Sequence, residues 1–137
     1  MTTAREIMTP DPRCIGESES LQEAARLMAE LDVGALPICG ADGKLRGMLT
    51  DRDIVVKCVA RGGRPAIETA GLLAERTLVL ARADDDIRDV LTSMERHQVR
   101  RVPVLDGHEL VGIISQADIA LTLSATQTGE TVEAISE

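Results

Sequence analysis

The sequence predicts an α+β fold: two tandem β-α-β-β-α repeats, packed about a pseudo-twofold axis into one module. Three observations predict it. A proline-centred apolar strand, Leu36-Pro37-Ile38, recurs as Val102-Pro103-Val104 after a shift of 66 residues. Each of these strands runs into an Asp-Gly pair, Asp42-Gly43 or Asp106-Gly107, a strong signal for a tight hairpin. Each hairpin then ends in a hydroxyl-x-x-Asp-Ile step, Thr50 to Ile54 and Ser115 to Ile119.

The same shift of 66 pairs Leu21 with Ile87, Met28 with Met94 and Val33 with Val99. A deletion in the second hairpin turn reduces the shift to 65, which pairs Gly47 with Gly112, Thr50 with Ser115 and Asp53 with Asp118. The predicted repeats span 4–62 and 67–125, joined by a linker at 61–66, Arg-Gly-Gly-Arg-Pro-Ala, with a tail at 126–137 that has no counterpart. Short first strands are expected at Arg13-Cys14-Ile15 and Leu78-Val79-Leu80. A helix follows each, because Leu21, Ala24, Ala25, Met28 and Leu31 fall on one helical face, as do Ile87, Val90, Leu91 and Met94. Ser20 with Glu23 has the pattern of a capping box, and Asp86 is the equivalent N-cap. Strands 35–39 and 45–49 form the first hairpin, 101–105 and 110–114 the second, and a final helix leaves each, near 51–62 and 116–125. One such repeat is too small to bury a core comfortably, so packing two apolar sheet faces together is expected, with a cleft between them.

Composition narrows the functions. The net charge of −8 repels polyphosphate chains, so nucleic acid is excluded as a general partner, although a local Arg cluster can still hold a mononucleotide. Phe, Tyr and Trp are absent, so the core is aliphatic and no aromatic platform exists for stacking bases. Apolar runs are too short for a membrane span, and the charged start Met1 to Glu6 does not read as a signal peptide; the expected location is the cytoplasm.

The two hydroxyl-x-x-Asp steps have two readings. In the structural one, Thr50 and Ser115 are helix N-caps, with Asp53 and Asp118 complementing the helix dipole. In the functional one, the hydroxyl donates to a phosphate while the Asp accepts from ribose hydroxyls, with Arg52 and Lys57 adding charge. Arg100 and Arg101 are surface charge or a phosphate contact. Cys14 and Cys39, at equivalent ends of two strands that can be parallel neighbours, are buried thiols or a disulfide clip; Cys58 reads as packing. No zinc spacing links the cysteines with His97 and His108, so no metal is expected. An enzyme is not expected either. There is no nucleophile–base pair, Asp51 and Asp53 do not face each other on a helix, and Arg61 to Arg64 lacks the lysine of a phosphate loop.

Taken together, the paired Leu-Pro-Ile and Val-Pro-Val strands, each followed by Gly-x-x-Thr/Ser-x-x-Asp-Ile, resemble the cystathionine-β-synthase (CBS) domain family over nearly the whole chain. Leu36 to Gly40, Gly47 to Val55 and His97 to Val104 further resemble a small stand-alone, stress- and hypoxia-linked member. The resemblance implies a regulatory homodimer that binds AMP, ADP, ATP or S-adenosylmethionine between the repeats and acts on another protein. By resemblance, Asp53 and Asp118 hold ribose, Thr50 and Ser115 hold phosphate or ribose, and Leu36, Ile38, Val102 and Val104 line an adenine slot. Arg52 fits the family's Thr-x-Arg-Asp form; Gln116-Ala117 departs from it, which ranks the Asp53 site first. The alternative is a ligand-free dimeric scaffold carrying a Cys14–Cys39 clip.

Overall fold

Residues 1–74 and 79–126 are described by the computed structural model. They form two compact units, one comprising Asp11–Leu78 and His108–Leu110, the other Met1–Pro10, Val79–Gly107 and Val111–Glu137, each considered over its described residues.

In the first unit, β2 (Ile15–Gly16) lies parallel to β3 (Ala35–Cys39), and β3 is antiparallel to β4 (Leu45–Thr50). Helix α2 (Leu21–Leu31) joins β2 to β3, and α3 (Asp51–Lys57) follows β4 directly. The Asp-Gly turn forms as expected. Gly43 takes φ 78°, and the Lys44 amide donates to Asp42 Oδ1 at 3.0 Å, a bond that holds the Asp42 carboxyl below its usual range. Ile15, Leu21, Met28, Leu36, Ile38 and Leu49 make the centre of an aliphatic core. Helix α2 departs from the expectation on its outer edge: Leu21, Ala24 and Met28 are buried, but Ala25 and Leu31 are exposed. Its cap is also simpler. Ser20 Oγ accepts from the Glu23 amide at 3.1 Å, while the Glu23 side chain pairs with Arg26 at 3.0 Å and does not close the box.

In the second unit, α1 (Ala4–Ile7) and β1 (Thr9–Pro10) precede β5 (Ala81–Arg82), α4 (Ile87–His97), β6 (Arg101–Asp106), β7 (Glu109–Ser115) and α5 (Gln116–Thr126). The strand order is β1-β7-β6-β5. Met8 packs where a Cβ on Gly112 would stand, so the missing side chain lets β1 close the edge of β7. The core holds Ile87, Val90, Met94, Val102, Val104 and Ile114, with Ala4 fully buried among them. Asp86 caps α4 by accepting from the Arg88 amide at 2.9 Å.

Both first strands sit later than expected. The pairing is Ile15 with Ile38 and Gly16 with Cys39, so Arg13 and Cys14 precede it. The equivalent pairing is Ala81 with Val104 and Arg82 with Leu105, so Val79 and Leu80 precede that one; Leu78 lies outside the described residues, as does the tail from 127. The first closing helix is also shorter than expected: α3 ends at Lys57, and a 3-10 turn, Val59–Arg61, replaces its last part.

The units are not divided where the sequence repeats are. The leading segment of each repeat is hydrogen-bonded into the unit built on the other repeat. In the second unit, Ala4 and Arg5 amides donate to Asp85 and Ala83 carbonyls at 2.9 Å, and the Ile87 amide donates to Thr2 at 3.0 Å. In the first, Ala70 and Gly71 amides donate to Glu19 and Glu17 at 2.8 and 2.9 Å, and the Leu21 amide donates to Glu68 at 2.8 Å. Every donor and acceptor in one set is 66 residues from its counterpart in the other.

Helices α2 and α4 stop alike. Asp32 and Gln98 adopt left-handed φ of 56°, and Val33 and Val99 amides reach back to Met28 and Met94 carbonyls at 3.0 Å. This is a Schellman ending without the usual glycine.

Candidate functional site

Each hydroxyl-x-x-Asp step lies where a strand becomes a helix, and there the two repeats differ. In the first unit Thr50 keeps extended backbone (φ −110°, ψ 159°), which frees its side chain to cap α3. Thr50 Oγ1 accepts from the Asp53 amide and Asp53 Oδ2 accepts from the Thr50 amide, both at 3.0 Å. Asp53 Oδ1 pairs with Lys57 Nζ at 3.3 Å, leaving the Asp53 side chain 19% exposed. Asp51 flanks this closed box, accepting from the Arg52 amide at 2.8 Å and donating its own amide to Gly34 at 3.0 Å. Arg52 is exposed and makes no ion pair among the described residues.

In the second unit Ser115 Oγ accepts from the Asp118 amide at 3.1 Å, which is half of the same box. The Asp118 carboxylate has no partner among the described residues. Thr122 stands where Lys57 stands in the first repeat, and its hydroxyl donates back to the Asp118 carbonyl at 2.9 Å. The Gln116 amide donates to the Arg100 carbonyl at 2.8 Å, matching Asp51 and Gly34. Arg100 and Arg101 are both exposed and without ion pairs among the described residues.

Leu36, Ile38, Val102 and Val104 are at most 2% exposed and belong to the two cores. Two cavities, of about 170 and 350 Å³, lie elsewhere; apart from Val102 in the first, neither is lined by the residues named above for a ligand.

Cys14 and Cys39 form a disulfide, with Cα atoms 5.8 Å apart and a sequence separation of 25. The expectation of two buried thiols fails at Cys14, which is exposed because it precedes the paired part of β2. Cys58 is fully buried and donates to Glu68 Oε2 at 3.1 Å; burial first, then the nearby carboxylate, pushes its thiol pKa up. Glu68 also accepts from the Arg64 amide at 2.8 Å, anchoring the linker, and this role has no signature in the sequence. His97 Nδ1 sits 2.8 Å from the Ser93 carbonyl, a local contact within α4. Among the described residues no three His, Cys, Asp or Glu side chains gather to hold a metal, and no helix is long and apolar enough to cross a membrane.

With the repeat, the hairpins and the two steps in place, the class can be stated. Residues 4–59 and 73–125 match the CBS domain, and the chain belongs to the CBS-domain family as a tandem pair. It is 52% identical to Hypoxic response protein 1 of Mycobacterium tuberculosis over 135 residues, which is 98% of this chain and 94% of that one. A crystal structure of Hypoxic Response Protein I with two coordinated zinc ions superposes with a TM-score of 0.80 and 54% identity, covering 89% of this chain and 99% of that one. The CBS-domain pair of protein MJ0100, in complex with 5′-methylthioadenosine and S-adenosyl-L-methionine, superposes with a TM-score of 0.82 and 27% identity, covering 92% of this chain and 98% of that one.

Proposed function

We propose that the chain is a non-enzymatic regulatory module of the cytoplasm that binds an adenosyl ligand and passes its state to another protein. The observation that carries this reading is the hydroxyl-x-x-Asp step at a strand-to-helix junction, present twice. A carboxylate there accepts from a ribose diol, and a cap hydroxyl donates to the ligand's oxygens. Leu36 and Ile38, or Val102 and Val104, would support the base from beneath. The likeness to a pair that holds two adenosyl compounds supports the ligand class, and the likeness to a hypoxic response protein supports a stress-linked setting. Such a module works by binding two arrangements of itself unequally, without chemistry. We read it as a homodimer, which light scattering of the purified chain tests.

The experiment is thermal unfolding of nucleotide-stripped protein with AMP, ADP, ATP and S-adenosylmethionine. A ligand at a hundred times its Kd adds about 2.7 kcal/mol, a rise of several degrees. The double variant Asp53→Ala/Asp118→Ala should lose that rise. No rise with any of the four at millimolar concentration would refute the sensor reading. It would favour a second one, a ligand-free dimeric scaffold, which the closed Thr50–Asp53 box and the Cys14–Cys39 disulfide support.

A further inference from the structure

Helix α2 carries an apolar face wider than the core it meets. Ala25 belongs to that face in sequence yet is exposed, and it lines a groove of about 350 Å³ between α2 and α3 with Met28, Ala29, Val33, Ile54 and Val55. Val33 is 43% exposed and Val55 57%. Two carboxylates, Asp32 and Asp51, complete the wall, and neither makes an ion pair among the described residues.

The second unit repeats this corner on the same backbone. Val33 and Val99 amides reach Met28 and Met94 carbonyls at 3.0 Å, and Asp51 and Gln116 amides reach Gly34 and Arg100 carbonyls at 3.0 and 2.8 Å. The charge carried on that backbone is inverted. Residues 29–35 and 51–52 hold Glu30, Asp32 and Asp51 against Arg52. Their equivalents, 95–101 and 116–117, hold Arg96, His97, Arg100 and Arg101 against Glu95. All of these side chains are exposed, and none forms an ion pair among the described residues.

Each copy of the chain therefore carries both halves of a complementary contact. An Arg stem lies along apolar surface while its planar head forks onto a carboxylate, which suits the run from Arg96 to Arg101 to a groove walled by valines and two Asp. Pairing like corners would instead set Asp32 and Asp51 against their own copies and arginine against arginine, which opposes association. We infer that the groove between α2 and α3 docks the Arg96 to Arg101 segment of a second copy, where α4 ends and β6 begins, so that copies associate head to tail, first unit on second. The inference rests on the homodimer reading and adds which surfaces meet.

Sedimentation equilibrium of the full chain tests it, with circular dichroism to check each variant's fold. Asp32→Lys/Asp51→Lys should weaken self-association by about tenfold or more, and Arg96→Glu/Arg100→Glu by a similar factor. The chain carrying all four substitutions should regain it, because Lys then faces Glu. Rising salt should weaken the native association. Asp32→Asn/Asp51→Asn, in which Asn tolerates the left-handed backbone at position 32, should remove most of that salt dependence, and it decides the matter if the reversed variants misfold. A homodimer indifferent to both reversals, weakened by each but not restored by their combination, or equally salt-sensitive in the Asn variant would overturn the head-to-tail contact and give the groove to another occupant, while the homodimer reading stands. A chain that is monomeric at every concentration would overturn both.

Discussion

Reduction of the Cys14–Cys39 disulfide is the perturbation whose magnitude follows most directly from the chain. The bond closes a sequence separation of 25 residues. In the chain-entropy treatment, cross-linking a loop of that length removes about 12 cal/mol/K from the unfolded state, or about 3.5 kcal/mol at 25 °C. An unfolding entropy of about 2.1 cal/mol/K per residue gives about 290 cal/mol/K for the whole chain, so the midpoint should fall by about 12 °C. Because Cys14 is exposed, a small phosphine or dithiol reaches the bond without prior unfolding. The effect should also have a location. The Glu17 amide donates to the Cys39 carbonyl at 2.9 Å, and Glu17 and Glu19 carbonyls accept from Gly71 and Ala70. Losing the clip loosens the two-residue β2 and should speed hydrogen exchange at those three amides before it does so in β3 and β4. The assay is calorimetry and exchange with and without reductant, beside a Cys14→Ala/Cys39→Ala variant that ignores reductant. Intact mass must gain two hydrogens on reduction. An unchanged midpoint after that gain would refute the loop-closure argument, and two titratable thiols before it would refute the bond.

Three further outcomes are expected. Thr50→Ala should cost about 1 kcal/mol, a fall of about 3–4 °C, because it opens a reciprocal box, and Ser115→Ala should cost less because only one bond is made there; equal losses by thermal denaturation would contradict this. Cys58 should resist alkylation in the folded protein and react at once in denaturant. With its pKa raised above the unfolded value of about 8.5, its contribution to stability is present below that pH and lost as pH rises through the folded value; a Cys58→Ala variant should lack that alkaline loss in denaturant titrations. Fragments 1–63 and 64–137, made separately, should each lack a cooperative transition, because the first lacks Ala70 and the second lacks Ala4; a sharp transition in either would show that the exchanged segments are dispensable.

What the sequence showed depended on whether a feature has a period or a local partner. The hairpins, helices α2 and α4 and their N-caps were legible, because Asp-Gly turns, helical spacing and capping residues act within a few positions. The first strands were misplaced because two-residue strands have no period, and their register is set by β3 and β6. Ala25 and Leu31 read as core because periodicity reports a face without its width. The Schellman endings were missed since Asp32 and Gln98 are not glycine. At the site, the hydroxyl-x-x-Asp pattern was plain, but its meaning was not. Whether Asp53 is free depends on Lys57 turning back along α3, and whether Cys14 is buried depends on where β2 begins pairing.

The exchanged leading segments explain why reading the repeats along the chain gives boundaries that the packing does not follow. A unit of about sixty residues buries too little apolar surface to stand easily. With no aromatic side chain to add bulk, each sheet here must close its core with small aliphatic pieces. The last piece is Ala70 in one unit and Ala4 in the other, each fully buried and each carried by a segment belonging in sequence to the other repeat. A larger residue at either position would overpack, and a break between them would remove a core residue together with at least three backbone hydrogen bonds. Duplication alone would have given two weak domains. Crossing the leading segments makes the stability of each depend on the continuity of the whole chain, and the steps after β4 and β7 are then free to diverge, one forming the full reciprocal cap and the other, among the described residues, half of it.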